Sequence, residues 1–476
     1  KGVGRATGAE VQILSTPPYK IKTLYSVFFL FVLLYKRGGM MKKEITMKEL
    51  EHFQKKYHED PTNKLIENAI TRSGIDDVCF NRETLIENQN VFNVETELGS
   101  VQNQKNSGRC WCFAGTNMIR GNIAKNMNIE VKDLALSNVY LTFYDRLEKF
   151  NNAYENLFTV ENLDYDYLLQ EYYLMCSEGG WYESFSNLVT KYGILPASYM
   201  PESHDSIASN RLNNILQEKL KYDANTIIEL RAKNTPIEKL RKEKERMLSE
   251  VYEILCKVLG EPTKEFTLEY QDKDKKKIRI EHMTPMKFKK QYLTIDPNDF
   301  VLLKSIDHYK KNYYQKYQDE RAYGATMKNF EYINVPLEEL EKAAIKQLKD
   351  NIPVWFACPT NKMWNRKEWI LDMRNYNYFD TLGMKKMDRK TSYNFHDIPS
   401  SHAMSFVGVH LIDRKPVRWK VENSWGNEKD TKQYLIMNQN YFEERVTAIA
   451  VHKKYLSAKV KKCLDQTPII INIHEL

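Results

Sequence analysis

Cys110, His402 and Asn423 constrain this chain most, because their flanking residues make chemical sense only in a fold that brings them together. The cysteine lies in Gln104-Lys105-Asn106-Ser107-Gly108-Arg109-Cys110-Trp111-Cys112-Phe113, the histidine in Ser401-His402-Ala403-Met404, and the asparagine in Val421-Glu422-Asn423-Ser424-Trp425-Gly426. A free thiol with a pKa of about 8.5 is mostly protonated in neutral water, and only the thiolate is a good nucleophile. Ser107-Gly108 reads as a cap or turn, so a helix is expected to open at Cys110 and run through Phe113, Ala114, Met118 and Ile119. Its N-terminus would favour negative sulfur. His402 would supply an imidazolium partner, and the side-chain oxygen of Asn423 would accept the other ring N–H and fix the ring plane. Gln104 and the backbone N–H of Cys110 would donate to the oxyanion of a tetrahedral intermediate, about 3 kcal/mol per donor. Trp425 would cover the His–Asn hydrogen bond and keep water out.

Taken singly, these residues read as ordinary structure. A cysteine beside tryptophan is usually a small buried hydrophobe, and Asn-Ser-Trp-Gly is a turn after a strand. Their conjunction, in this chain order, points to nucleophilic catalysis by a thiolate. The seven cysteines are scattered and odd in number, which favours reduced thiols in a cytoplasmic protein over a disulfide framework. Cys110 and Cys112 could begin a metal site, but no second Cys/His cluster supplies the remaining ligands, so neither metal nor cofactor is expected.

These segments resemble the papain-like cysteine peptidases and, among them, the bleomycin hydrolase family that includes bacterial aminopeptidase C. Asn103-Gln104-Lys105 followed by Ser107-Gly108-Arg109-Cys110-Trp111 carries that family's form of the nucleophile motif. Papains place another cysteine three residues before the nucleophile, where this chain has Ser107. Further matches are Phe143-Tyr144-Asp145-Arg146-Leu147-Glu148, Gly179-Gly180-Trp181, Lys191-Tyr192-Gly193, Phe266-Thr267-Leu268-Glu269-Tyr270, Val354-Trp355-Phe356 and Trp419-Lys420-Val421-Glu422-Asn423.

The resemblance implies an α+β, two-lobed papain-like fold, a helical lobe plus a β-barrel-like lobe, with a helical insertion and a C-terminal arm. It implies a cysteine aminopeptidase acting on peptides through Cys110, His402, Asn423 and Gln104. Gly179 and Gly180 resemble the ledge that holds extended substrate, and Trp425 completes that surface. A homohexamer with inward-facing sites is implied as well. In this family the terminal carboxylate closes the cleft beyond one substrate residue and holds its α-amino group. Gln466-Thr467-Pro468-Ile469-Ile470-Ile471 matches the start of that arm, but the chain then closes Asn472-Ile473-His474-Glu475-Leu476, several residues short. At about 3.3 Å per extended residue, four or five missing residues would retract Leu476 by roughly 15 Å. The short arm leaves an endopeptidase or dipeptidyl-peptidase as the alternative.

About 290 residues separate Cys110 from His402, more than a bare two-lobed peptidase needs, so inserted structure is expected. Ile237-Glu238-Lys239-Leu240-Arg241-Lys242-Glu243-Lys244-Glu245-Arg246-Met247-Leu248 has apolar residues at three- and four-residue steps between alternating charges. That is the pattern of a solvated amphipathic helix on a larger body. Residues 41–200 are read as N-terminal helices and the helical lobe, 201–300 as the insertion, 301–455 as the β-rich lobe, and 456–476 as the arm. Residues 1–40 begin with Lys and hold one apolar run, Leu24 to Tyr35, too short to span a bilayer, which needs about 20 residues. They are read as leader or upstream sequence before Met40 or Met41. Without their six Lys/Arg and one Glu the formal charge falls from +8 to +3. Neither value implies nucleic-acid binding on so long a chain, and 42% hydrophobic residues suffice for a sizeable core.

Overall fold

The stretch around the candidate nucleophile forms a buried α-helix, Cys110–Met127, with apolar side chains on all sides. A helix that is hydrophobic all round must lie inside a larger body. The structure is a computed structural model, and it describes residues 43–171, 173–174, 177–319, 330–426 and 434–471. The helix opens at Cys110, but its N-cap is Arg109, which makes no side-chain capping bond. Of the cap or turn expected at Ser107-Gly108, the cap is absent: the Ser107 hydroxyl donates back to the carbonyl of Gln104. Arg109 is buried and anchors the helix start through Glu202, 2.8 Å away.

Around this helix pack Asn138–Thr159, capped by Ser137, and Tyr182–Tyr192. The charged region forms two long helices, Asn210–Ala232 and Ile237–Leu259. The second buries Leu240, Met247, Val251, Leu255 and Leu259, one apolar stripe, and leaves its Lys/Glu face in solvent. Both share the core of the Cys110 helix rather than forming a separate one. The same interval also holds an antiparallel hairpin, Phe266–Gln271 with Lys277–Met283.

One mixed sheet carries the rest of the site. From one edge, its described strands run Ile469–Ile471, Gln315–Asp319, Glu331–Asn334, Phe300–Lys304, Ala448–His452, Val354–Cys358, His402–Ile412, Lys415–Glu422, Leu435–Asn438, Ile370–Leu371 and Trp364–Asn365. The His402 strand is central, antiparallel to Val354–Cys358 with His402 opposite Cys358, and to Lys415–Glu422 with Ser405 opposite Glu422. Its alternation serves two cores: Ala403 faces the helical lobe, while Met404 and Phe406 face a second core with Phe356 and Trp419. Ser405 Oγ donates to the Ala114 carbonyl at 3.2 Å, pinning this strand to the Cys110 helix.

Residues up to Val78 make a separate unit, whose described helices are Met47–Glu59 and Pro61–Ser73. The first starts at a capping box between Thr46 and Glu49. The Leu24 to Tyr35 run lies outside the described residues. Among the described residues no helix is long and apolar enough to cross a membrane.

Candidate active site

Cys110 lies in the first turn of its helix, where the unpaired N–H groups give a partial positive charge. Its Sγ accepts a hydrogen bond from the backbone N–H of Ala403 at 3.5 Å. The strand that supplies Ala403 begins with His402, whose Nε2 is 2.8 Å from Asn423 Oδ1. With an amide oxygen as acceptor, that nitrogen carries the proton. The N–H of Ser424 donates to the same oxygen at 2.8 Å and holds the amide in this orientation. Asn423 itself is buried just past the end of the Lys415–Glu422 strand. The preceding Glu422 pairs with Arg120 of the Cys110 helix at 3.0 Å, both buried, so asparagine strand and nucleophile helix are tied directly.

The electrostatics follow from this placement. Burial alone would raise the Cys110 thiol, but hydrogen bonding and charge interaction with His402, with the N–H groups of Ala403 and Trp111, bring its pKa below the ordinary value. Burial would lower His402, yet Cys110 and Asn423 together hold it above the usual imidazole value. The two shifts run in the directions that stabilise a thiolate beside an imidazolium. Cys112, two residues on, is fully buried, and desolvation pushes its thiol well up.

Gln104 joins the two loops that border the nucleophile. Its backbone N–H donates to the Ser424 carbonyl at 2.8 Å, and its side-chain oxygen accepts from the Ser424 hydroxyl. One side-chain N–H donates to the Ser107 carbonyl at 2.5 Å, leaving the second N–H of the amide for another acceptor. Asn103 bridges to Trp425 alongside. Gly426 has φ +72°, and a Cβ there would come within 2.6 Å of the Asn103 amide, so this crossing needs glycine. The Trp425 ring lies 5.7 Å from the His402 ring, tilted by 43°, and stacks on Trp364 at 4.7 Å.

Gly179 and Gly180 line the same cleft as Cys110, Gln104 and His402, a cavity of about 750 Å³. They differ in what they tolerate. A Cβ on Gly180 would meet the Trp111 ring at 2.6 Å, whereas one on Gly179 would touch only Ser177 Oγ at 4.0 Å. Gly180 is thus fixed by packing on the residue after the nucleophile, and Gly179 leaves open backbone along the cleft. Lys149 clamps the segment by donating to the carbonyls of Ser177 at 2.9 Å and Gly179 at 2.6 Å. Leu476, with Asn472 through Glu475, falls outside the described residues.

The residues missed from sequence are those that hold the site rather than react. Glu178 accepts from the Gly108 N–H at 2.8 Å and pairs with Arg146 at 3.0 Å, while its carbonyl accepts from the Trp111 indole N–H at 2.9 Å. Its position directly before Gly179-Gly180 was the available signal. Ala403, Ser424 and Trp364 offered none beyond adjacency to a motif. The described cysteines, Cys79, Cys110, Cys112, Cys256, Cys358 and Cys463, are all free thiols; Cys176 lies outside the described residues.

A helix-borne cysteine facing a strand-borne histidine and asparagine across a cleft defines the class of papain-like cysteine peptidases. The chain belongs to the Peptidase C1-like family, whose model matches residues 44–475. It is 35% identical over 438 residues to aminopeptidase E of Lactobacillus helveticus, covering 90% of this chain and 98% of that protein. It is 33% identical over 434 residues to mouse bleomycin hydrolase, covering 87% of this chain and 94% of that one. Among solved structures, PepW from Lactobacillus rhamnosis HN001 superimposes with a TM-score of 0.85 at 32% identity, over 90% of this chain and 98% of that chain.

Proposed function

We propose that this protein is a cysteine aminopeptidase that removes N-terminal residues from peptides, with Cys110 as nucleophile, His402 as acid–base, Asn423 as its orienting partner and Gln104 as oxyanion donor. The observation that carries this reading is the opposed shift of Cys110 and His402 at a helix N-terminus inside the cleft. The thiolate attacks the scissile carbonyl carbon, and the electron pair of its C=O bond moves to oxygen. Gln104 and the Cys110 N–H stabilise that oxyanion. The imidazolium gives its proton to the leaving amine as the C–N bond breaks, leaving an acyl-enzyme thioester. Neutral imidazole then takes a proton from water, which attacks the thioester and releases the acid.

Gly179 and Gly180 would hold the acyl side of the peptide, Trp425 would shield the His–Asn contact, and the carboxylate of Leu476 would receive the substrate ammonium. The relatives named aminopeptidase support removal of terminal residues. We also infer a cytoplasmic homohexamer, which the free thiols and the family relationship support; analytical ultracentrifugation at micromolar protein tests it, and a monomer refutes it. Activity is tested by comparing an amino-acid amide with the same residue N-blocked. Cleavage of the free amine alone is expected; equal cleavage of both would favour an endopeptidase.

A further inference from the structure

The cleft holds a lysine that the peptidase chemistry leaves unused. Lys304 ends the strand Phe300–Lys304, lines the cavity that opens on Cys110, and is only 5% exposed. Its Nζ lies 4.1 Å from the ring centroid of Trp181, 4.4 Å from that of Tyr332 and 5.1 Å from that of Phe330. Among the described residues, rings rather than carboxylates contact the ammonium. Aromatic faces steady a cation but accept no strong hydrogen bond, so an anion entering the cavity can still take one from this ammonium.

Of the two acids that act on this ammonium, Glu183 adds little negative charge. Glu183 and Asp319 act on Lys304 through space, but burial pushes Glu183 up to about 8, so it is largely protonated in neutral solution. Lys304 is brought down by burial to about 8 and keeps most of its charge there. Lys311 and Asp319 line the same cavity. The position in the cleft is defined as well. Trp181 directly follows the Gly179-Gly180 ledge and lies 6.3 Å from Trp355, whose indole N–H donates to the Trp111 carbonyl at 3.1 Å. Lys304 therefore belongs to the wall that continues the ledge, the side along which the acyl part of a substrate runs.

The geometry points to a carboxylate-recognition subsite at Lys304, which selects peptides carrying Asp or Glu on the acyl side of the scissile bond. The inference rests on the peptidase reading above. The rings already confine the lysine, so a substrate carboxylate gains a charge-assisted hydrogen bond with little further ordering of the protein. A glutamine side chain of the same shape brings a neutral acceptor, and the difference amounts to about tenfold or more in kcat/KM.

The test uses the full chain and matched fluorogenic pairs, glutamyl against glutaminyl amides and Glu-Ala against Gln-Ala amides. At least one pair is expected to show a ratio of about tenfold favouring Glu, falling to near one in Lys304→Met and surviving in Lys304→Arg. A ratio of one or less for both pairs in the wild-type protein overturns the proposal without recourse to any variant. So does a tenfold preference that persists in Lys304→Met. A preference that emerges only after deletion of residues 472–476 would assign the lysine to a carboxylate of the chain's own terminus and overturn the substrate assignment. Absence of turnover on every substrate would remove the peptidase reading itself, a result distinct from turnover without charge preference.

Discussion

At the scale of single residues the site separates two cysteines of the same helix turn by chemistry alone. Cys110 has His402 and the Ala403 N–H to stabilise its thiolate, while at Cys112 burial outweighs the nearby Arg109 and pushes the thiol up. Iodoacetamide should therefore label Cys110 well ahead of Cys112, and Cys110→Ala should lower kcat by at least about 10³ while the far-UV circular dichroism stays unchanged. Equal labelling of both, with activity surviving in Cys110→Ala, would end the thiolate reading. His402→Ala should be nearly as damaging, since nucleophile and base act as a unit. The pH profile carries a sign. Activity should rise as pH climbs through the lowered thiol pKa and fall as it climbs through the raised imidazole pKa. The Asn423 hydrogen bond is one of the influences that raise His402, so Asn423→Ala should move the basic limb to lower pH. An unmoved or upward-shifted limb would show that Asn423 does not act on the imidazole. Gln104→Ala should lower kcat by roughly 10²–10³ with little change in KM, as expected of a transition-state donor. A change confined to KM would assign it to ground-state binding.

At the scale of elements, the start of the helix that carries Cys110 is held by a buried acid. Glu178 accepts from the Gly108 N–H just before the Cys110 helix, and also from Ser209, Asn213 and Arg146. Glu178→Ala leaves Arg146 buried without its partner, and should cost about 3–5 kcal/mol in urea unfolding at neutral pH. Burial raises the Glu178 carboxyl, but Arg146 and these donors outweigh it and hold the group below the ordinary value. Its contribution is therefore present above the unfolded carboxyl pKa and lost as pH falls through the depressed folded one. The gap between wild type and variant should shrink in acid; a gap independent of pH would mean the ionised form is not what stabilises. This contrast also marks what the sequence could reveal. The Cys110 helix and the turn at Asn423 were legible because apolar pattern and short motifs specify them locally. Glu178 carried only its place before Gly179-Gly180, since its partners Gly108, Arg146, Ser209 and Asn213 lie 31 to 70 residues away in sequence. Arg109 replaced Ser107 as N-cap for the same reason: Glu202 makes its burial tolerable, and no local pattern announces that pairing. Lys304 ends an apolar strand with no motif around it; only the tertiary fold sets it among Trp181, Tyr332 and Phe330.

At the scale of the whole molecule, the sheet sets where the last described strand stands relative to the cleft. The last described strand, Ile469–Ile471, runs parallel to Gln315–Asp319, with Ile471 opposite Asp319. Asp319 lines the cavity that holds Cys110. Residues 472–476 therefore start from a strand whose neighbour already borders the cleft, and five extended residues reach roughly 16 Å. A carboxylate brought there would pair with a substrate ammonium and fill the space that upstream residues need. Deletion of residues 472–476 should then weaken hydrolysis of free N-terminal substrates and admit N-blocked peptides, while Cys110 alkylation stays as fast as before. The measurement is kcat/KM on paired blocked and unblocked amides, before and after deletion. Efficient cleavage of blocked peptides by the full chain, unaltered by the deletion, would mean that the terminus plays no part in the site, and the same catalytic cluster would then serve an endopeptidase.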